Sequence, residues 1–118
     1  IPTGTFTQIE AGSNHVCALA DDKTVSCWGD NTTGATSAPV GYFNKIAAGG
    51  DATCGISVIG FPHCWGSNYG PNAVYNPPSA YAADITVNSD FGCIVAQGGH
   101  YIDCWGAYSP GSYSLQPW

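Results

Sequence analysis

His15-Val16-Cys17-Ala18-Leu19-Ala20-Asp21-Asp22-Lys23-Thr24-Val25-Ser26-Cys27-Trp28-Gly29 decides the fold, because its pattern is written three times in the chain. The closing tripeptide returns as Cys64-Trp65-Gly66 and Cys104-Trp105-Gly106, after steps of 37 and 40 residues. Upstream of each stands a first cysteine, Cys17, Cys54 or Cys93, at a distance of 10, 10 and 11 residues. Five residues before those lie Gly12, Gly49 and Asn88. Gly and Asn enter left-handed backbone most easily, which makes them equivalent at a turn. Further upstream an apolar pair recurs as Phe6/Ile9, Phe43/Ile46 and Ala82/Ile85, and a polar tail downstream ends in Pro39, Pro77-Pro78 or Pro117.

Within one repeat the pattern is β throughout. Thr7-Gln8-Ile9-Glu10-Ala11 alternates and then meets a glycine turn; His15 to Leu19 forms a strand, Asp21-Asp22-Lys23 a turn, and Thr24 to Trp28 the returning strand. Val58-Ile59-Gly60 and Gln97-Gly98-Gly99 are the equivalent turns, and the extra residue of the third repeat falls there, where insertion keeps both strands in register. Each unit offers three or four short antiparallel strands, the fourth in the tail before the proline. A period near 40 residues with that content is the mark of a propeller blade.

Ala11-Gly12-Ser13-Asn14-His15-Val16-Cys17-Ala18-Leu19, followed by Asp22, Val25 and Cys27-Trp28-Gly29-Asp30-Asn31-Thr32-Thr33-Gly34, resembles a regulator of chromosome condensation-type repeat. The likeness is closest in the first repeat, good in the second and degenerate in the third. It implies blades of four antiparallel strands, seven to a ring, in proteins that act by binding partners and rarely by catalysis. The sequence departs from that pattern after Gly34, where Ala35-Thr36-Ser37 replaces the family's Gln-Leu-Gly. The expected fold is therefore all-β: one repeat domain over residues 1–118, with units at about 6–41, 42–80 and 81–118. Three propeller-type blades cannot close a ring alone, since closure needs at least about four.

Composition narrows the partners. Sixteen Gly and eight Pro are about a fifth of the chain, against roughly an eighth on average, which starves helices and favours turns. Lys23 and Lys45 are the only basic residues beside eight carboxylates, a formal charge of −6. A phosphate backbone needs Lys and Arg to displace its counterions, so nucleic acid is excluded as a partner, and an anionic membrane surface with it. No apolar run approaches the ~18 residues of a membrane span. With 44% hydrophobic residues the chain is not disordered. It lacks a charged-then-apolar leader, and a start at Ile1 fits a processed terminus or a trimmed piece equally.

Six cysteines allow fifteen pairings. The repeat selects Cys17–Cys27, Cys54–Cys64 and Cys93–Cys104, one disulfide per blade across neighbouring strands, where opposed Cα atoms lie about 4.5 Å apart. No close Cys-x-x-Cys pair exists for zinc, and paired cysteines point to an oxidising, extracellular setting. Trp28, Trp65 and Trp105 follow the bridging cysteine, face the other side of the strand, and are expected in inter-blade packing; a carbohydrate platform is the alternative. His15, His63 and His100 occupy three different repeat positions, which implies no shared site. Asn14, Asp51 and Asp90 share one, suited to Asx turns rather than acid–base chemistry. No catalytic motif, metal or cofactor is expected. Asn31-Thr32-Thr33 is an N-glycosylation sequon on an exposed turn.

The ends resemble each other across a junction. Ile1-Pro2-Thr3-Gly4-Thr5-Phe6 parallels Ala38-Pro39-Val40-Gly41-Tyr42-Phe43, and Gln116-Pro117-Trp118 stops where the next blade would begin. Ile1, Pro2, Phe6, Pro117 and Trp118 are thus the expected subunit junction. The expected function is a non-enzymatic, secreted structural protein that associates with itself head to tail, as a filament or a multi-subunit propeller. Two alternatives stand beside it: a soluble binding module (a lectin or a protein inhibitor), with glycans as partners, and a fragment of a longer seven-bladed propeller.

Overall fold

The computed structural model describes residues 3–32, 34–66, 80–88, 91–99, 101–106 and 113–114. It is all-β, with three separate antiparallel sheets in chain order. Blade 1 holds β1 (Phe6–Ala11), β2 (His15–Ala20) and β3 (Val25–Gly29). Blade 2 holds β4 (Phe43–Gly49), β5 (Ala52–Ser57) and β6 (Pro62–Gly66). Blade 3 holds β7 (Ala82–Val87), β8 (Phe91–Ala96), β9 (Tyr101–Gly106) and a short fourth strand, β10 (Tyr113–Ser114). Strands follow one another in each sheet as in the chain, the order of a meander, and the three sheets do not close on themselves.

The first strand of each blade carries a bulge, between Phe6 and Gln8, Phe43 and Lys45, and Ala82 and Asp84. This explains the apolar pairs spaced by three, which an unbroken period of two would place on opposite faces. The extra residue brings Phe43 and Ile46 to one face, and likewise Ala82 and Ile85. The second and third strands pair with the cysteines directly opposed, at Cα separations of 4.1, 4.0 and 4.0 Å. All six sulfurs are in disulfides within their own hairpins. The additional residue of the third repeat lies in the hairpin between Val95 and Ile102.

The motif glycines have a backbone reason. Gly29, Gly66 and Gly106 adopt φ of 111°, 109° and 121°, a region closed to ordinary side chains. The expectation at Gly12, Gly49 and Asn88 is corrected: none of them is in the left-handed region. Glycine is needed there for close approach. A Cβ on Gly12 would stand 2.7 Å from the Gly50 carbonyl oxygen, and one on Gly49 would collide with the Val87 carbonyl. At Gly49 the obstacle is the backbone of the following blade alone; at Gly12 it is that backbone together with the His15 ring of the same blade.

Two cores form between blades. Cys17 and Leu19 of blade 1 pack with Phe43, Ile46 and Trp65 of blade 2. Ala47, Cys54 and Ile56 of blade 2 pack with Ile85 and Ile94 of blade 3, Trp105 joining from the edge. At both boundaries the cystine face of one blade therefore meets the tryptophan face of the next.

Candidate interaction faces

Polar contacts repeat at the inner boundaries as the apolar ones do. The first strands of blades 2 and 3 open with an amide bonded to the hairpin tip of the preceding blade: Phe43 N–H to the Lys23 carbonyl at 2.7 Å, and Ala82 N–H to the Gly60 carbonyl at 2.8 Å. Lys23 is the one non-glycine residue at positive φ among the described residues, and Gly60 and Gly99 hold the same turn position. Gln8 reaches from blade 1 to the backbone of Ile46, donating to its carbonyl at 2.7 Å and accepting from its amide at 3.0 Å. Lys45, at the equivalent place in blade 2, pairs with Asp84 of blade 3 at 3.1 Å.

His15 sits deep in the first boundary, 3% exposed. The Thr53 hydroxyl donates to the Ala35 carbonyl at 3.1 Å, so its oxygen accepts from His15 Nε2 at 2.8 Å. Trp65 Nε1 donates to the same carbonyl at 2.9 Å. Burial holds the His15 imidazole below its ordinary pKa, against an upward pull from the carboxylates of Asp51 and Asp30. Ala35 belongs to the segment that departs from the family pattern; it is fully enclosed, and its backbone passes so close to Gly66 that a Cβ there would stand 3.2 Å from the Ala35 Cα. Sequence reasoning missed Gln8, Ala35 and Thr53. The shared repeat position of Gln8, Lys45 and Asp84 was the available signal for the first of these, while Ala35 and Thr53 have no repeated counterpart.

The outer faces are the counterparts of these boundaries, left open. On blade 1 the tryptophan face consists of Phe6, Ile9, Val16 and Trp28, with Val16 and Trp28 directly paired. Ile9 is 65% exposed, whereas the equivalent Ile46 and Ile85 are 1% and 7% exposed. Trp65 is buried; Trp28 and Trp105 are both half-buried, but Trp105 packs against the second core and Trp28 against neither. No described blade lies on the Trp28 side of the sheet, so the inter-blade packing expected of Trp28 needs a blade beyond the three described ones. On blade 3 no described blade lies over the cystine face. Cys17 and Cys54 are fully buried under the next blade, while Cys93 and Val95 are half-exposed and flank a shallow hollow with Ile102 and Asp84.

The other candidate residues lie apart from these faces. His63 is exposed, edge-on to Phe43 at 6.3 Å, and no group of metal-ligating side chains occurs among the described residues. Turns closed by an aspartate two residues back occur at Asp22, bonded to Thr24, and at Asp30, bonded to Thr32. The threonine hydroxyls hold both carboxyls below their usual pKa. Asn31 is exposed and bonded to Thr36 and Ser37. Ile1, Pro2, Pro117, Trp118, Thr33, Asp90 and His100 lie outside the described residues. No described helix is long and apolar enough to cross a membrane.

Residues 6–35 match the family model described as regulator of chromosome condensation (RCC1) repeat. No curated protein matches the chain. Among solved structures it is similar to the CRINKLY ectodomain of the Arabidopsis thaliana receptor kinase ACR4, with 31% identity over 86% of this chain and 38% of that one, TM-score 0.71. It is similar also to the ectodomain of the Physcomitrella patens receptor kinase CR4, with 31% identity over 90% and 30%, TM-score 0.75. Yeast RCC1 (Prp20), solved with Kap60 bound, shares the fold at 18% identity over 86% and 32%, TM-score 0.64. The chain thus spans about a third of the length of the structures it matches.

Proposed function

We propose that these regulator of chromosome condensation-type blades form a non-enzymatic, extracellular structural module that works by blade association, its two outer faces being completed by further blades. Those blades come head to tail from other copies, as a filament or a multi-subunit propeller. The observation that carries this reading is the contrast at one repeat position: Ile46 and Ile85 are buried, and Ile9 is open to solvent. An apolar face of this kind, covered on blades 2 and 3 and uncovered on blade 1, suits an association surface. Three disulfides and two similar receptor ectodomains support the extracellular setting, and the exposed Asn31 is proposed as its N-glycan site. Intact mass of natively secreted protein tests both: a hexose-bearing species without free thiols is expected, and free thiols would contradict the setting.

A longer propeller supplying the missing blades in one chain is the second reading, favoured by the share of each solved relative that this chain covers. Light scattering and negative-stain microscopy separate the two. Oligomers or filaments of this chain support the first; a monomer inside a larger single-chain ring supports the second. A binding role for glycans rests on exposed aromatics at the hairpin-tip edge, where Tyr81 is 53% exposed and stacked on Phe61 at 4.4 Å. A glycan array tests it.

A further inference from the structure

The internal boundaries prescribe what an occupant of the open faces must look like. The cystine face of blade 1 is covered by a phenylalanine and an isoleucine three apart on a bulged first strand, and by the tryptophan after the bridging cysteine. Phe6, Ile9 and Trp28 repeat that set, and they are the open face of blade 1. In turn the tryptophan face of blade 2 receives Cys17, Leu19, Val25 and Cys27. Cys93, Val95, Ile102 and Cys104 repeat that set with the same pairings, and they are the open face of blade 3. We infer that the occupant is a second copy of this chain, docked with Phe6, Ile9 and Trp28 on the Cys93, Val95, Ile102 and Cys104 face of the first. This deepens, and rests on, the proposal of blade association.

The polar frame follows the same register. The Phe6 amide of the second copy meets the Gly99 carbonyl, the equivalent of the Lys23 and Gly60 carbonyls used inside the chain. Asp84 is the equivalent of Gln8; its Oδ1 is held by Lys45 and the Ile85 amide, which leaves Oδ2 to accept from the Ile9 amide where Gln8 accepts from that of Ile46. One position departs from the internal template. Gly12 and Gly49 leave room for the following backbone, but Asn88 at the third such place carries a Cβ. The junction between copies is therefore looser at this end than the boundaries inside a chain.

Such a contact is heterologous, so poisoning one face must leave the other usable. Ile9→Asp places a carboxylate on the blade 1 face and Val95→Asp places one on the blade 3 face; both positions are open enough to keep the fold, which circular dichroism checks. By light scattering, each variant alone is expected at monomer mass. An equimolar mixture is expected at twice that mass and no higher, because the Val95→Asp copy offers its blade 1 face to the blade 3 face of the Ile9→Asp copy. Asn88→Gly in the otherwise unchanged chain is expected to tighten association roughly tenfold by removing the side chain from the approach. A variant that oligomerises alone as the unchanged chain does, or a mixture that stays monomeric, overturns the register. If the unchanged chain is monomeric and binds a hydrophobic dye, the second copy is ruled out while the open faces stand. A monomer that binds no dye overturns both.

Discussion

Gly49 and Asn88 occupy one repeat position and differ in what stands beyond them. A side chain at Gly49 meets the backbone of blade 3, which cannot retreat without parting the second core. Gly49→Ala is expected to cost about 1–3 kcal/mol in urea unfolding, and Asn88→Ala much less. His15 supplies a second prediction. Its folded pKa lies below the unfolded value of 6.5, so between the two the unfolded chain binds more protons. The contribution of His15 is then complete above pH 6.5, declines as the pH falls below it, and levels off once the folded imidazole is itself protonated. The urea midpoint should be lower at pH 5.5 than at pH 7.5, and His15→Gln should flatten that difference. An unchanged slope in the variant would assign the loss to other groups.

At the level of the elements, each hairpin is held by one cystine, and the three differ in what lies over them. Cys17 and Cys54 are enclosed by the following blade, and Cys93 is half-exposed. Exposed disulfides are attacked first by a thiolate. Limited reduction followed by alkylation and peptide mapping should therefore label Cys93 and Cys104 before the other four; simultaneous labelling would show that the outer face is covered in solution. Removing Cys54–Cys64 as a double serine variant should cost about 2–3 kcal/mol, the entropy of closing a loop of about ten residues. The strand pattern, hairpin register and pairing of these elements were readable from the repeat, because a twofold side-chain period and opposed cysteines leave one solution. The bulge was not readable: Phe6 and Ile9 gave its spacing, but only the sheet shows that Thr7 is the displaced residue.

In the molecule as a whole, three chemically similar tryptophans carry different loads. Trp65 is enclosed and bonded to Ala35, so Trp65→Ala should cost about 3–5 kcal/mol. Trp28 has no described blade against it, and Trp28→Ala should leave the unfolding midpoint of the dilute monomer nearly unchanged while weakening association. Comparing denaturation with sedimentation for the two variants separates the roles; equal loss of stability would mean that blade 1 is closed by something within the chain. The exposed Lys45–Asp84 pair is worth little by comparison, since solvent screens it.

The sequence by itself determined the blade, its three copies and its disulfides, because each depends on contacts within about thirty residues and on a period the chain repeats. It also identified which aromatic and apolar residues stand at equivalent positions. Only the tertiary structure decided which of those equivalents are covered. Burial of Ile46 but not Ile9, or of Cys54 but not Cys93, is a property of having a neighbour, and a neighbour is a matter of stacking between sheets. The polar joints through Gln8, Thr53 and Ala35 were hidden for the same reason: their partners lie 18 to 38 residues away across a boundary that no local pattern encodes.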